Sequence, residues 1–167
     1  MKPELIINQP RIANLEPMKL VGLCREMSQV SDETSILWRE FGPRKAEIPN
    51  RASTDSISMR VCPGHAHEIF DPVARIQKWA AVEVLDFGHV PNGMSYWTTR
   101  GGLYAIFVHE GSATDLSTFE YIFGEWLPNG DFDLDDREHF EILPADYNPF
   151  DPRAREEICV PVTMKMP

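Results

Sequence analysis

The sequence has little with which to cross-link itself, enter a bilayer or hold a polyanion. Only three cysteines occur, Cys24, Cys62 and Cys159, far apart and odd in number. No Cys-x-x-Cys pair is present, so neither a disulfide framework nor a zinc ribbon is indicated. Apolar runs extend for only a few residues, well short of the roughly 20 that span a membrane. The opening MKPELIINQP puts an acid and prolines where a signal peptide needs an apolar core. A cytoplasmic protein is therefore expected. Basic residues are also scarce: 16 Lys and Arg stand against 26 Asp and Glu, a net charge of −10. That argues against direct binding of nucleic acid, which draws on clustered Lys and Arg, and mildly favours cationic ligands.

Motifs for several chemistries are missing as well. There is no GxxxxGK, no GxGxxG and no GxSxG. Cys62, His65, His67 and Glu68 could be read as metal ligands, because His-x-His can place two imidazoles on one strand face. Pro63-Gly64 marks a turn there, however, and no second cluster completes a site. Asp131, Asp133, Asp135 and Asp136 lack the order and terminal Glu of an EF-hand and read as a solvated loop. No metal and no cofactor are expected.

What is present is an alternation of strands and amphipathic helices. Met18 to Cys24 reads as a strand buried on much of both faces. Ser31-Asp32-Glu33 looks like a helix start, and Thr34, Leu37, Trp38 and Phe41 form an amphipathic stripe that weakens at Gly42-Pro43. In Ser56 to Cys62, Ile57, Met59 and Val61 alternate with Ser56, Ser58 and Arg60, as in a half-exposed strand. Lys78 to Phe87 is a second, more apolar strand.

The second half repeats this order. A short strand at Met94 to Thr98 and a turn at Gly101-Gly102 precede a buried strand, Leu103 to His109. A helix follows, with Leu116, Phe119, Ile122 or Phe123, and Trp126 on its core stripe. Strands at Phe140 to Leu143 and Ile158 to Val162 flank a Pro- and Asp-rich loop. Both halves read strand, helix, strand, strand. The expected fold class is therefore α+β: two duplicated βαββ units in one domain spanning residues 1–167, with pseudo-repeats near 11–90 and 93–164. The units would share an antiparallel sheet with two main helices on one face and leave a ligand cleft between the repeats.

Several segments in order carry a family likeness: Met18 to Leu23, Trp79 to Phe87, Gly101 to Phe107, Tyr121 to Pro128 (YIFGEWLP), and Phe140-Glu141. Over nearly its whole length the chain resembles the GyrI-like small-molecule-binding domain, also called the AraC-type effector-binding domain. The resemblance implies a cleft between the repeats that binds amphipathic, often cationic and aromatic, molecules. Family regulators usually carry an N-terminal DNA-binding domain. No helix-turn-helix fits before Arg11, so a stand-alone effector domain is expected, working with a separate DNA-binding regulator or another protein target.

Glu141 is the leading site candidate. From spacing alone it is an ordinary strand glutamate, solvent-facing or paired with Arg137 or another base. The resemblance instead implies an acid inside the pocket, where a carboxylate among aromatics would neutralise a bound cation. Trp126 and Tyr121 lie in the helix that best matches the family. Trp38 is the repeat-related candidate, and Trp79 and Tyr104 are further ones from the strands. Three functions follow: capture of an amphipathic cationic or aromatic small molecule, as a sensor or sequestering protein; hydrolysis of strained, cyclopropane-type rings with Glu141 as general base; and docking on a protein, as gyrase-inhibitor-type members do.

Overall fold

The computed structural model describes residues 9–62 and 70–167. Thus His65, His67 and Glu68 of the histidine cluster lie outside the described residues. Among the described residues, nine strands and a small set of helices run in the order β1 (Arg11–Leu15), β2 (Lys19–Met27), α1 (Thr34–Phe41), β3 (Ser56–Val61), β4 (Ile76–Glu83), β5 (Ser95–Thr98), β6 (Gly102–Glu110), α2 (Ser117–Tyr121), β7 (Phe132–Leu134), β8 (His139–Leu143) and β9 (Arg155–Met164). A 3₁₀ turn, Gly42–Glu47, prolongs α1. A π-helical turn, Ile122–Trp126, and a last turn, Leu127–Asn129, prolong α2.

The sheet order is β1-β6-β9-β8-β3-β4-β2-β5, with β7 pairing to β9. The pairings are antiparallel. This order is symmetric about the β8–β3 pair. β9 mirrors β4, β6 mirrors β2, and each short strand, β1 or β5, caps the edge of the other repeat. The expected α+β fold with duplicated βαββ units on one antiparallel sheet is the one observed.

Alternation along the strands builds two cores. On one face Leu20, Ile57, Met59, Trp79, Tyr104, Phe140 and Cys159 pack together. On the other face α1 covers Val21, Ala80 and Val82 with Leu37 and Phe41. The α2 segment covers Ala105, Phe107, Ile158 and Val160 with Ile122. Each helix thus sits over its own repeat, and the middle of this face, over β3 and β8, is left between them.

Gly22 shows how closely the strands approach. A Cβ there would lie 2.1 Å from the Ala80 carbonyl oxygen and 2.6 Å from the Ala81 Cα. Both are backbone atoms of the paired strand β4 and cannot swing aside.

Two expectations are corrected. The acidic run after Gly130 is more than a solvated loop. Phe132–Leu134 pairs with β9, and Glu138 is fully buried. Its carboxylate accepts hydrogen bonds from the Arg100 backbone N–H (3.1 Å) and Nε (3.1 Å). Arg137 beside it donates to the carbonyls of Gly101 (2.7 Å), Leu103 (2.5 Å) and Val162 (3.2 Å) and lies 4.7 Å over the Tyr104 ring. This guanidinium ties the β5–β6 turn to β9. The second correction concerns Ser56, Ser58 and Arg60. Ser58 is only 5% exposed, so the polar face of β3 is turned toward the space between the helices, not toward open solvent.

Candidate functional site

The space between the helices is a cleft whose floor is the β3–β8 pair and its flanking strands. Ser58 stands directly opposite Glu141 across that pair. Strand alternation sets which side chains rise from the floor. On β4 it is Lys78, in step with buried Ala80 and Val82; on β9 it is Glu156, in step with buried Ile158 and Val160. One cavity of about 580 Å³ is lined by Glu141, Glu156, Ser58, Trp38, Tyr147 and Phe150, among others. Its walls come from α1 on one side and the Pro144–Phe150 loop on the other.

The electrostatics follow from burial. Glu141 is half-buried, and its nearest base is Arg60, with Nη2 4.0 Å from Oε1. Glu156 is 5% exposed. Burial, helped by the negative charge of Glu141, pushes its carboxyl up to about 8. Burial also pushes the Tyr147 phenol up to about 12, with Glu156 and Glu141 adding to the effect. Lys78, half-buried on the same floor, has its ammonium pushed down, chiefly by desolvation. Lys45 also lines the cavity, but its ammonium is held by Ser56 Oγ (2.9 Å) and the Thr54 carbonyl (3.0 Å). Glu141 and Glu156 therefore converge in a partly apolar cleft, with the Glu156 carboxyl held mostly protonated at neutral pH.

The structure brings some of the expected site residues together and separates others. Glu141 and Trp38 share the cavity. Trp79 and Tyr104 are 2% and 1% exposed and belong to the core on the opposite sheet face. There Trp79 Nε1 donates to Gln77 Oε1 (3.0 Å), and the Tyr104 hydroxyl donates to the Glu138 carbonyl (2.8 Å). Trp126 packs edge-on to Phe107 and stacks on Phe132, with ring centroids 5.1 and 5.7 Å away. Tyr121 is half-buried in the same cluster beneath α2. Neither Trp126 nor Tyr121 lines the cavity that holds Glu141.

Sequence reasoning missed Glu156, Lys78 and Tyr147. Glu156 and Lys78 were within reach of it. Each is a charge in step with apolar residues on one face of a strand, whereas Glu141 was singled out by the family resemblance. Tyr147 lies in an irregular loop, where no periodicity marks a side chain's direction.

The fold has known counterparts. Residues 8–163 match the model of the GyrI-like small molecule binding domain. A transcriptional regulator, BrlR of Pseudomonas aeruginosa, is 25% identical over 154 residues, covering 91% of this chain and 54% of BrlR. The chain thus spans about half the length of that relative. Among solved structures, SAV2435 bound to tetraphenylphosphonium superposes with a TM-score of 0.66 at 12% identity, over 93% of this chain and 94% of that one. EcmrR, in a DNA complex, superposes with a TM-score of 0.72 at 12% identity, over 98% of this chain and 60% of that one.

Proposed function

Since this chain belongs to the GyrI-like small-molecule-binding domain family, we propose that its ligand is an amphipathic cation with aromatic bulk, held in the cleft over β3 and β8. The observation that carries this reading is the convergence of Glu141 and Glu156 in a cavity of about 580 Å³ walled by Trp38, Tyr147 and Phe150. A cleft of that size suits a drug-sized molecule. The carboxylates supply the counter-charge, and each aromatic face adds about 0.5–2 kcal/mol of cation–π attraction. That a protein of this fold has been solved bound to tetraphenylphosphonium supports the choice of ligand class. Occupancy of the cleft would then be passed to a DNA-binding regulator, a role suggested by the relatives named above.

The test is calorimetry and thermal unfolding with two probes of nearly equal shape and opposite charge, tetraphenylphosphonium and tetraphenylborate. The cation should bind and stabilise the fold, by about 2.7 kcal/mol at 100 times its dissociation constant. The anion should not. Equal binding of both, or binding of the anion alone, would refute the proposal.

A further inference from the structure

We propose that the cleft carries a second, basic subsite at Arg60 and Lys78 that takes an anionic group, so that the full ligand is a zwitterionic amphipath whose cationic head meets Glu141 and Glu156 and whose anionic group meets Arg60 and Lys78. The zwitterion rests on the reading of the acidic half as a cation site; the basic subsite stands on its own geometry.

Arg60 and Lys78 face each other directly in the β3–β4 register. Two like charges in directly opposed positions of a sheet destabilise it unless an anion bridges them. The anions nearby do this poorly. Arg60 reaches Glu141 only at 4.0 Å, and its guanidinium otherwise lies 5.7 Å over the Phe119 ring. Among the described residues, Lys78 makes no ion pair within 4 Å and no hydrogen bond through its ammonium. Its ammonium is pushed down by burial, and by Arg60, against the upward pull of Glu141, Asp32 and Glu156. A desolvated cation without a close counter-ion is costly, and a carboxylate from outside would complete both groups.

There is room for one. A cavity of about 440 Å³ opens around Arg60 and Lys78, with Met27, Phe119 and Phe123 as apolar walls. It shares Asp32, Thr34 and Lys78 with the cavity that holds Glu141 and Glu156. The two cavities therefore adjoin along the sheet floor, with Lys78 and Asp32 on their shared border, Glu141 and Glu156 on one side and Arg60 on the other. A single extended molecule with a cationic aromatic head and a carboxylate tail matches that polarity.

The probes are a triphenylphosphonium bearing a butyl carboxylate, its methyl ester, and 4-phenylbutyrate, titrated by calorimetry. Wild type should bind the free acid about tenfold more tightly than the ester. Lys78→Met should erase that preference without weakening the ester, whose cation then meets one competing charge fewer on the floor, and Lys78→Arg should restore it. Glu141→Gln should weaken acid and ester alike. 4-Phenylbutyrate reads the basic subsite by itself and should lose its binding in Lys78→Met. If no phosphonium binds but 4-phenylbutyrate does so through Lys78, the cation reading fails and the basic subsite stands. Equal affinity for acid and ester in wild type, or binding of 4-phenylbutyrate that ignores Lys78→Met, would overturn the proposal. Thermal melts of each variant exclude loss of fold as the cause.

Discussion

Ser58 and Glu141 stand opposite one another on the two central strands, at the seam about which the sheet order is symmetric. The pairing puts a small hydroxyl beside an acid where neither helix covers the floor. A larger apolar residue at 58 would fill the space next to the carboxylate. Ser58→Leu should therefore weaken tetraphenylphosphonium binding sharply while leaving the β3–β8 register intact. Glu141→Gln should weaken it roughly tenfold, about 1.4 kcal/mol. Titration of both variants checks this; an unchanged affinity in Glu141→Gln would remove that residue from the site.

Two buried groups set a pH profile for stability. His139 is held down to about 3, by burial first, with Arg60 and Arg137 adding to the effect. Its folded value is depressed below the ordinary 6.5, so its contribution is complete above 6.5 and is lost as the pH falls toward 3. Glu156 is the reverse case. Its folded value is raised to about 8 from an ordinary 4.5, so its contribution is present below 4.5 and is lost as the pH rises through 8. Between 4.5 and 6.5 the two slopes oppose each other, and the urea midpoint should be nearly level there. It should decline on either side. Glu156→Gln should remove the alkaline decline and leave the acid one.

The same carboxyl couples to ligand. A cation binds the ionised form, so the affinity for tetraphenylphosphonium should rise with pH up to about 8, and binding near neutrality should release a proton. Loss of charge from Lys78 would act in the same direction, by removing a competing cation from the floor. Calorimetry in buffers of different ionisation enthalpy measures the proton count, and Glu156→Gln should reduce it.

The tryptophans separate binding from stability. Trp38 lines the cavity with Glu141, whereas Trp79 is sealed in the opposite core against Trp97, with centroids 6.0 Å apart. Trp38→Ala should weaken tetraphenylphosphonium binding by about 0.5–2 kcal/mol with a small change in melting temperature. Trp79→Ala should cost about 3–5 kcal/mol of stability and leave the affinity of the folded protein nearly unchanged. The reverse pattern would place the ligand on the other face of the sheet.

Much of the fold could be read from period and punctuation. The alternation of Ile57 and Met59 with Ser56, Ser58 and Arg60 identified a strand, and the stripe Thr34, Leu37, Trp38, Phe41 identified a helix. The site was less legible, for physical reasons. A polar strand face toward a cleft has the same pattern as one toward water, so Ser58 and Arg60 gave no sign of their setting. The helix after Ser117 widens into a π turn at Ile122–Trp126, which changes the period used to place Trp126. Pro128, lacking an N–H and crowding the carbonyl four residues back, stands two residues beyond that turn. Phe132–Leu134 is too short and too acidic in its surroundings to declare itself a strand. Tyr147 and Phe150 reach the cleft from a loop, where direction is set by tertiary packing alone.

Arg137 offers a test of the framework apart from the cleft. Its three carbonyl contacts and its ion pair to Asp135 (2.7 Å) join the β5–β6 turn, β9 and the loop before β8. Arg137→Met leaves those carbonyls without their donor and should cost roughly 3 kcal/mol. Gly102→Ala should act on the same point, since a Cβ there would lie 2.7 Å from Arg137 Nη1, at a φ of +116° that L-residues rarely adopt. If the two effects are coupled, a double-mutant cycle will show the pair costing less than the sum of the singles.

The most direct test of the central claim is a crystal structure of the protein with tetraphenylphosphonium. The account predicts the phosphorus above the β3–β8 pair, with a phenyl group against Trp38 and the Glu141 and Glu156 carboxylates as the nearest negative charges. A phosphonium bound on the opposite sheet face near Trp79 and Tyr104, or at the outer surface away from Glu141, would contradict it.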